Sequence, residues 1–133
     1  MVRIELMSWE EARAQSSPIR FTVFCEEQGV PREIELDEHD AACVHALAFE
    51  GSKAVGTARL LPDGHIGRMA VLKEWRGQGI GGFMLTRLMA RAKERGDREV
   101  VLSGADLETH VERLAEHGRV QRRAQRERAP AVR

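Results

Sequence analysis

Arg68-Met69-Ala70-Val71-Leu72-Lys73-Glu74-Trp75-Arg76-Gly77-Gln78-Gly79-Ile80-Gly81-Gly82-Phe83-Met84-Leu85 is the stretch whose reading decides the fold. Met69 to Leu72 form a short apolar run suited to a buried strand. Gly77, Gly79, Gly81 and Gly82 then permit a tight turn whose amides no Cβ shields. From Ile80 onward, Gly81, Met84, Leu85, Leu88 and Ala92 fall on one face at helical spacing, with Arg87, Arg91, Lys93 and Glu94 largely off it. Strand, glycine turn and helix thus follow one another. The turn presents free N–H groups at the positive end of a helix dipole, with Arg76 alongside, which suits a phosphate or pyrophosphate.

Before the turn, apolar runs at 44–49, 53–61 and 65–72 are separated by Gly51-Ser52 and Pro62-Asp63-Gly64, turn residues at hairpin spacing. They predict an antiparallel meander. After the helix, the apolar stretch at 99–103 has to be reached by a crossover, so the sheet is mixed. Nearer the start, residues 2–7 alternate as a half-buried strand would, and Ser8 with Glu11 reads as a capping box. Pro18 is expected to interrupt the helix that follows. A second helical piece carries Ile19, Val23 and Phe24 near one face and ends at Gly29 and Pro31. The dense acidic segment at 32–40 reads as a surface loop. Asp106 can cap a further helix over 105–118, since Leu107, Val111 and Leu114 recur at i, i+4 and i+7. Residues 119–133 hold six arginines against one glutamate and no apolar period, the pattern of a disordered tail.

The chain's 133 residues fit one domain, and 42% hydrophobic with 32% charged residues suit a soluble globular protein. A formal net charge of zero provides no overall field to recruit nucleic acid or membrane, and the arginine tail lacks the aromatic residues of a stacking surface. Cys25 and Cys43 have no metal-type spacing and are too few for a disulfide scaffold, so reduced thiols, no metal and a cytoplasmic setting are expected. No run is long enough to span a bilayer.

Which phosphate ligand the turn takes is narrowed by what surrounds it. Gly77-x-Gly79-x-x-Gly82 matches the dinucleotide fingerprint, but that fold wants an acid at the end of the next strand, and Asp97 and Glu99 precede the strand instead. A phosphate loop of the Walker type fails because no Lys-Ser or Lys-Thr follows the glycines.

Arg76-Gly77-Gln78-Gly79-Ile80-Gly81 resembles the Arg/Gln-x-x-Gly-x-Gly/Ala signature of GNAT-superfamily N-acetyltransferases. Arg20-Phe21-Thr22-Val23-Phe24, Glu27-Gln28-Gly29-Val30-Pro31, Asp37-Glu38-His39-Asp40 and Gly56-Thr57-Ala58-Arg59-Leu60 resemble the bacterial ElaA-like subgroup, the likeness covering residues 2–104. The resemblance implies an α/β fold of the α+β type, a mixed and mostly antiparallel central sheet flanked by helices. It also implies acetyl-coenzyme A as co-substrate. The cofactor-binding residues would be Met69, Ala70 and Val71, along which the pantetheine pairs, and Arg76, Gly77, Gln78, Gly79, Ile80, Gly81 and Gly82, which cradle the pyrophosphate. The thioester carbonyl would lie near Val71, whose N–H could stabilise the developing oxyanion. A small-molecule or peptide amine would attack it.

The base that takes the amine's proton is not fixed by any pattern. Glu27, Asp37, Glu38, His39, His45 and His65 are all candidates, with Glu27 and His45 carried forward as catalytic and Asp37, Glu38, His39 and Arg59 as substrate-binding. Each has a structural alternative: His45 as a satisfied histidine inside an apolar strand, Arg59 as the partner of the acids. The chain also departs from the family. It has no tyrosine, and His110-Val111-Glu112-Arg113-Leu114 places Val111 where many members carry the tyrosine that protonates the departing thiolate. The family's last strands are expected to be missing beyond residue 104, as in an altered or out-of-frame end. The exposed sheet edge would then invite a second copy of the chain as a homodimer. A coenzyme A-binding module without activity is the alternative function.

Overall fold

The computed structural model describes residues 2–31, 38–104, 107–114 and 120–123. Seven strands form one sheet in sequential order: β1 Val2–Met7, β2 Val44–Glu50, β3 Lys53–Leu60, β4 His65–Val71, β5 Glu99–Gly104, β6 Leu107–Leu114 and β7 Val120–Arg123. All neighbours are antiparallel except β4 and β5, which run parallel. Among the described residues the longer helices are α1 Trp9–Arg20, α2 Phe21–Glu27, which is π-helical, and α3 Ile80–Glu94. The expected mixed, mostly antiparallel sheet flanked by helices is what forms.

The helices divide the core in two. Ile80, Met84, Leu88 and Ala92 of α3 recur every four residues and pack on Ala46, Ala48, Ala58, Leu60, Ile66 and Val100. That is one helical stripe laid on one face of the sheet. On the other face, Ala12 of α1 meets Leu47 and Phe49, while Ile19 and Val23 meet Ala70. The capping box at the start of α1 is present: the Ser8 hydroxyl accepts from the Glu11 N–H at 3.3 Å, and the Glu11 carboxylate accepts from the Ser8 N–H at 3.3 Å.

Two sequence expectations are corrected here. Pro18 does not interrupt α1, which continues to Arg20. Proline removes one helical donor, but so near the helix end the chain continues by widening into the π-helical turns of α2. Residues 107–114 form β6 and not the expected helix, and the strands expected to be missing beyond residue 104 are β6 and β7. Leu107, Val111 and Leu114 fit a helical period, but the open edge of β5 offers a ladder that pairs Val101 with Val111 and Leu102 with His110. Tertiary pairing overrides the local pattern there, and β6 covers the edge that a second copy was expected to cover. Within the expected disordered tail, Val120–Arg123 is strand β7, and the remainder lies outside the described residues.

Strand β4 carries the irregularity that matters most. Thr57 pairs with Ala70 and Arg59 with Gly67, so β4 has one residue more than β3 across this interval. Within that bulge Arg68 has φ +48°. The parallel pairing to β5 is confined to His65 with Val101 and Ile66 with Leu102. Beyond Ile66 the two strands part.

Candidate acyl-donor site

The gap between β4 and β5 opens toward the glycine turn. Leu72 donates its N–H to the Val55 carbonyl of β3 at 2.9 Å. Successive peptide groups on a strand point to alternate edges, so the N–H and C=O of Val71 point the other way, to the edge facing the gap. The strand's last residue thus turns its backbone N–H and carbonyl to the gap.

A single 3-10 turn, Lys73–Trp75, joins β4 to the glycines, and Trp75 packs against the α3-side core. Gly77 and Gly79 have φ +83° and +82°, in the left-handed region where a Cβ is strained. Gly79 is the N-cap of α3 and no side chain caps that end, so the first-turn donors point outward unclaimed by a capping group. Gly81 lies against β4, where the Met69 sulfur would come within 3.2 Å of an added Cβ. The helix N-terminus is thereby pressed close to the strand end. The electrostatics follow from this geometry: aligned peptide dipoles and unclaimed N–H groups favour an anion.

Arg76, at the head of the turn, reaches backward. Its Nε donates to the Val71 carbonyl at 2.8 Å, and one terminal nitrogen lies 2.7 Å from the Glu27 carboxylate at the end of α2. Glu27, a candidate base, is thus ion-paired. His45 is fully buried; its Nε2 lies 2.9 Å from the Asp40 carbonyl and its ring stacks at 4.8 Å from that of Trp9. Burial lowers its pKa, and the Asp40 carbonyl and charge only partly offset this. Arg59 is also buried, 2.9 Å from Asp40. Glu38 and His39 stand exposed on a 3-10 turn, Glu38–Ala42, and His65 is half-exposed beside Asp63 at 3.0 Å. Asp37 lies outside the described residues.

Asp40 escaped sequence reasoning. Inside the expected surface loop it is buried, held by Arg20 at 2.8 Å as well as by Arg59. Burial alone would raise its pKa, but the hydrogen bonds and charges of the two guanidinium groups outweigh that and hold it below the ordinary carboxylate value. The signal was present in the arginines. Ile19-Arg20-Phe21 and Ala58-Arg59-Leu60 each set a cation in an apolar run, and a buried guanidinium requires a carboxylate.

A bulged strand parting from its parallel neighbour thus ends beside a glycine-built helix N-terminus that favours an anion. The family profile described as Acetyltransferase (GNAT) family matches residues 3–118, and the chain belongs to that family. The match extends through β6, past the point where the sequence was expected to depart. The chain is 40% identical over 92 residues to the Bacillus subtilis strain 168 protein BSU40680, which carries an acetyltransferase name; the matched segment spans 65% of this chain and 63% of that protein's length. In fold it is similar to Escherichia coli ElaA, with TM-score 0.67, 23% identity and 77% of each chain covered. It is similarly close to a GNAT family acetyltransferase from Brucella melitensis in complex with acetyl-CoA, with TM-score 0.65, 21% identity, and 80% of this chain and 77% of that one covered. Among the described residues no helix is long and apolar enough to cross a membrane.

Proposed function

We propose that the chain transfers an acetyl group from acetyl-coenzyme A to an amine of a small molecule or peptide. The observation that carries this is the gap-facing edge of β4 at Val71, which ends at the N-terminus of α3, where no side chain caps the helix. Membership of the acetyltransferase family supports it. In this reading the amides of Gln78 to Gly82 hold the pyrophosphate and Met69 to Val71 pair with the pantetheine. The Val71 N–H donates to the thioester oxygen as it gains negative charge.

The neutral amine attacks the acetyl carbon, a C–N bond forms, the C–S bond breaks, and the amine proton passes to solvent. Coenzyme A leaves as a thiolate and is protonated by water, which a thiol of ordinary pKa near about 8.5 tolerates without a tyrosine. The acceptor approaches from the α1 face, where Gln15, Pro18, Thr22 and Leu72 line a pocket.

Calorimetry with acetyl-coenzyme A tests the donor half. Wild type is expected to bind, and Gly79→Glu to weaken binding by at least about 100-fold, since it forces a side chain at φ +82° and sets a carboxylate against the helix dipole. Binding unaltered by that substitution rejects the site. Screening amines for thiol release tests the acceptor half. The absence of any tyrosine favours a second reading, a coenzyme A-binding module that does not turn over. Binding without thiol release across the panel would select it.

A further inference from the structure

Arg76 ties three segments together. Its Nε takes the carbonyl of Val71, the last residue of β4, on the edge that faces the gap. Its terminal nitrogen takes Glu27, the last residue of α2. Its own backbone begins the glycine turn, with the Arg76 N–H bonded to Lys73 at 3.3 Å. Val23 of α2 packs on Ala70 of β4 together with Ile19 of α1, whereas Met69 faces Gly81 of α3. The Glu27–Arg76 pair therefore joins the α1 side of the sheet to the turn on the α3 side, across the end of the gap.

We infer that Glu27 and Arg76 form a clasp that sets the β4 edge for the acyl donor and couples α2 to the cofactor turn. In this inference, which rests on the acetyl-coenzyme A reading, Glu27 is a positioning residue acting through Arg76 and not the base that takes the amine's proton. Three features point this way. The Arg76 side chain is directed back along β4 by its bond to Val71, so it fixes the strand end instead of standing free over the turn. One oxygen of the Glu27 carboxylate lies 2.7 Å from a guanidinium that has no lower charge state to adopt, and an acid held by a permanent cation is a poor arrangement for a base. And the π-helical form of α2 places Glu27 at the terminus of a widened helix, a form that recurs where function displaces regular geometry.

A double-mutant cycle on acetyl-coenzyme A affinity tests the clasp. Side chains of Arg76 and Glu27 are 42% and 31% exposed, so the pair is partly solvated and either substitution is compatible with folding, which circular dichroism verifies. Glu27→Gln is expected to weaken binding about threefold to fivefold in the presence of Arg76, and less than about 1.5-fold in the Arg76→Gln background. Equal losses in both backgrounds, no loss in either, or tighter binding in Glu27→Gln would overturn the clasp; the last would mean that Glu27 competes with the diphosphate for the guanidinium. Hydrogen exchange supplies a second readout that a merely structural pair would not move. Acetyl-coenzyme A is expected to slow exchange of the α2 amides in wild type and leave them unchanged in Arg76→Gln; equal slowing in both overturns the coupling. A wild type that takes no acetyl-coenzyme A sinks the donor reading and the clasp with it, whereas a wild type that binds with an additive cycle sinks the clasp alone.

Discussion

One arginine–carboxylate cluster beneath α1 and another at the end of the gap are built from the same groups and placed in different surroundings. Asp40 with Arg20 and Arg59 is sealed beneath α1, its side chains 2%, 1% and 9% exposed. Glu27 with Arg76 stands half in solvent at the end of the gap. In the first, low polarity makes each charge dependent on the others, since none can be withdrawn without stranding its partners away from water. In the second, water takes up whatever is released, so the contact can be remade when an anion arrives. Burial thus assigns the first cluster to holding the fold and leaves the second available to the chemistry.

The sharpest way to break this contrast is Asp40→Asn. It leaves two buried guanidinium groups facing a neutral amide and is expected to lower stability by about 3–5 kcal/mol, read as a shift in denaturant midpoint at unchanged slope. Acetyl-coenzyme A affinity of the molecules that remain folded should not change. A loss within about 1 kcal/mol would place both clusters in the same class.

Acid comes next. The folded pKa of His45 is depressed, so as pH falls below its ordinary value of 6.5 the unfolded chain binds a proton that the folded chain resists. His45 thus contributes stability that is present above pH 6.5 and declines as pH falls from there toward the depressed folded value, by up to about 1.4 kcal/mol per pH unit. The contribution of Asp40 is present above 3.8 and is lost as pH falls through its own depressed value. Thermal melts from pH 7 downward should show the first decline in wild type and a flatter course in His45→Gln; parallel curves would mean that His45 does not titrate differently on unfolding. Smallest of all is the stability effect of Glu27→Gln, expected to stay within about 1 kcal/mol by chemical denaturation, so that its consequence appears in ligand affinity instead.

Much of this was legible in the chain because it rests on local rules. The meander is written in turn residues at Gly51-Ser52 and Pro62-Asp63-Gly64, and α3 in the spacing of Met84, Leu88 and Ala92. The anion-favouring turn is local too, since Gly77 and Gly79 carry their own conformational reason. What the sequence hid depends on distant partners. Residues 107–114 keep a helical period and become a strand only because β5 has an open edge. The acidic loop conceals Asp40, whose burial depends on Arg20 and Arg59, 20 and 19 residues away. Glu27 looked like a free acid until Arg76, 49 residues on, was placed against it.

The bulge at Arg68 has a consequence for how β4 distributes its side chains. Ile66 faces α3, and strict alternation would send Ala70 to that same side, yet Ala70 packs toward α1 with Ile19 and Val23 while Met69 touches the α3 side. The extra residue acts as a phase shift: the strand is written in one parity up to Ile66 and in the opposite parity from Met69 onward. Deleting Arg68 would restore one-to-one pairing with β3 and leave Met69, Ala70 and Val71 on the faces they hold, whereas drawing Arg68 into a regular ladder would exchange those faces, directing Ala70 at α3 and Met69 and Val71 at α1. The faces of the strand's second half thus depend on one residue staying out of the ladder as much as on which residues lie in it.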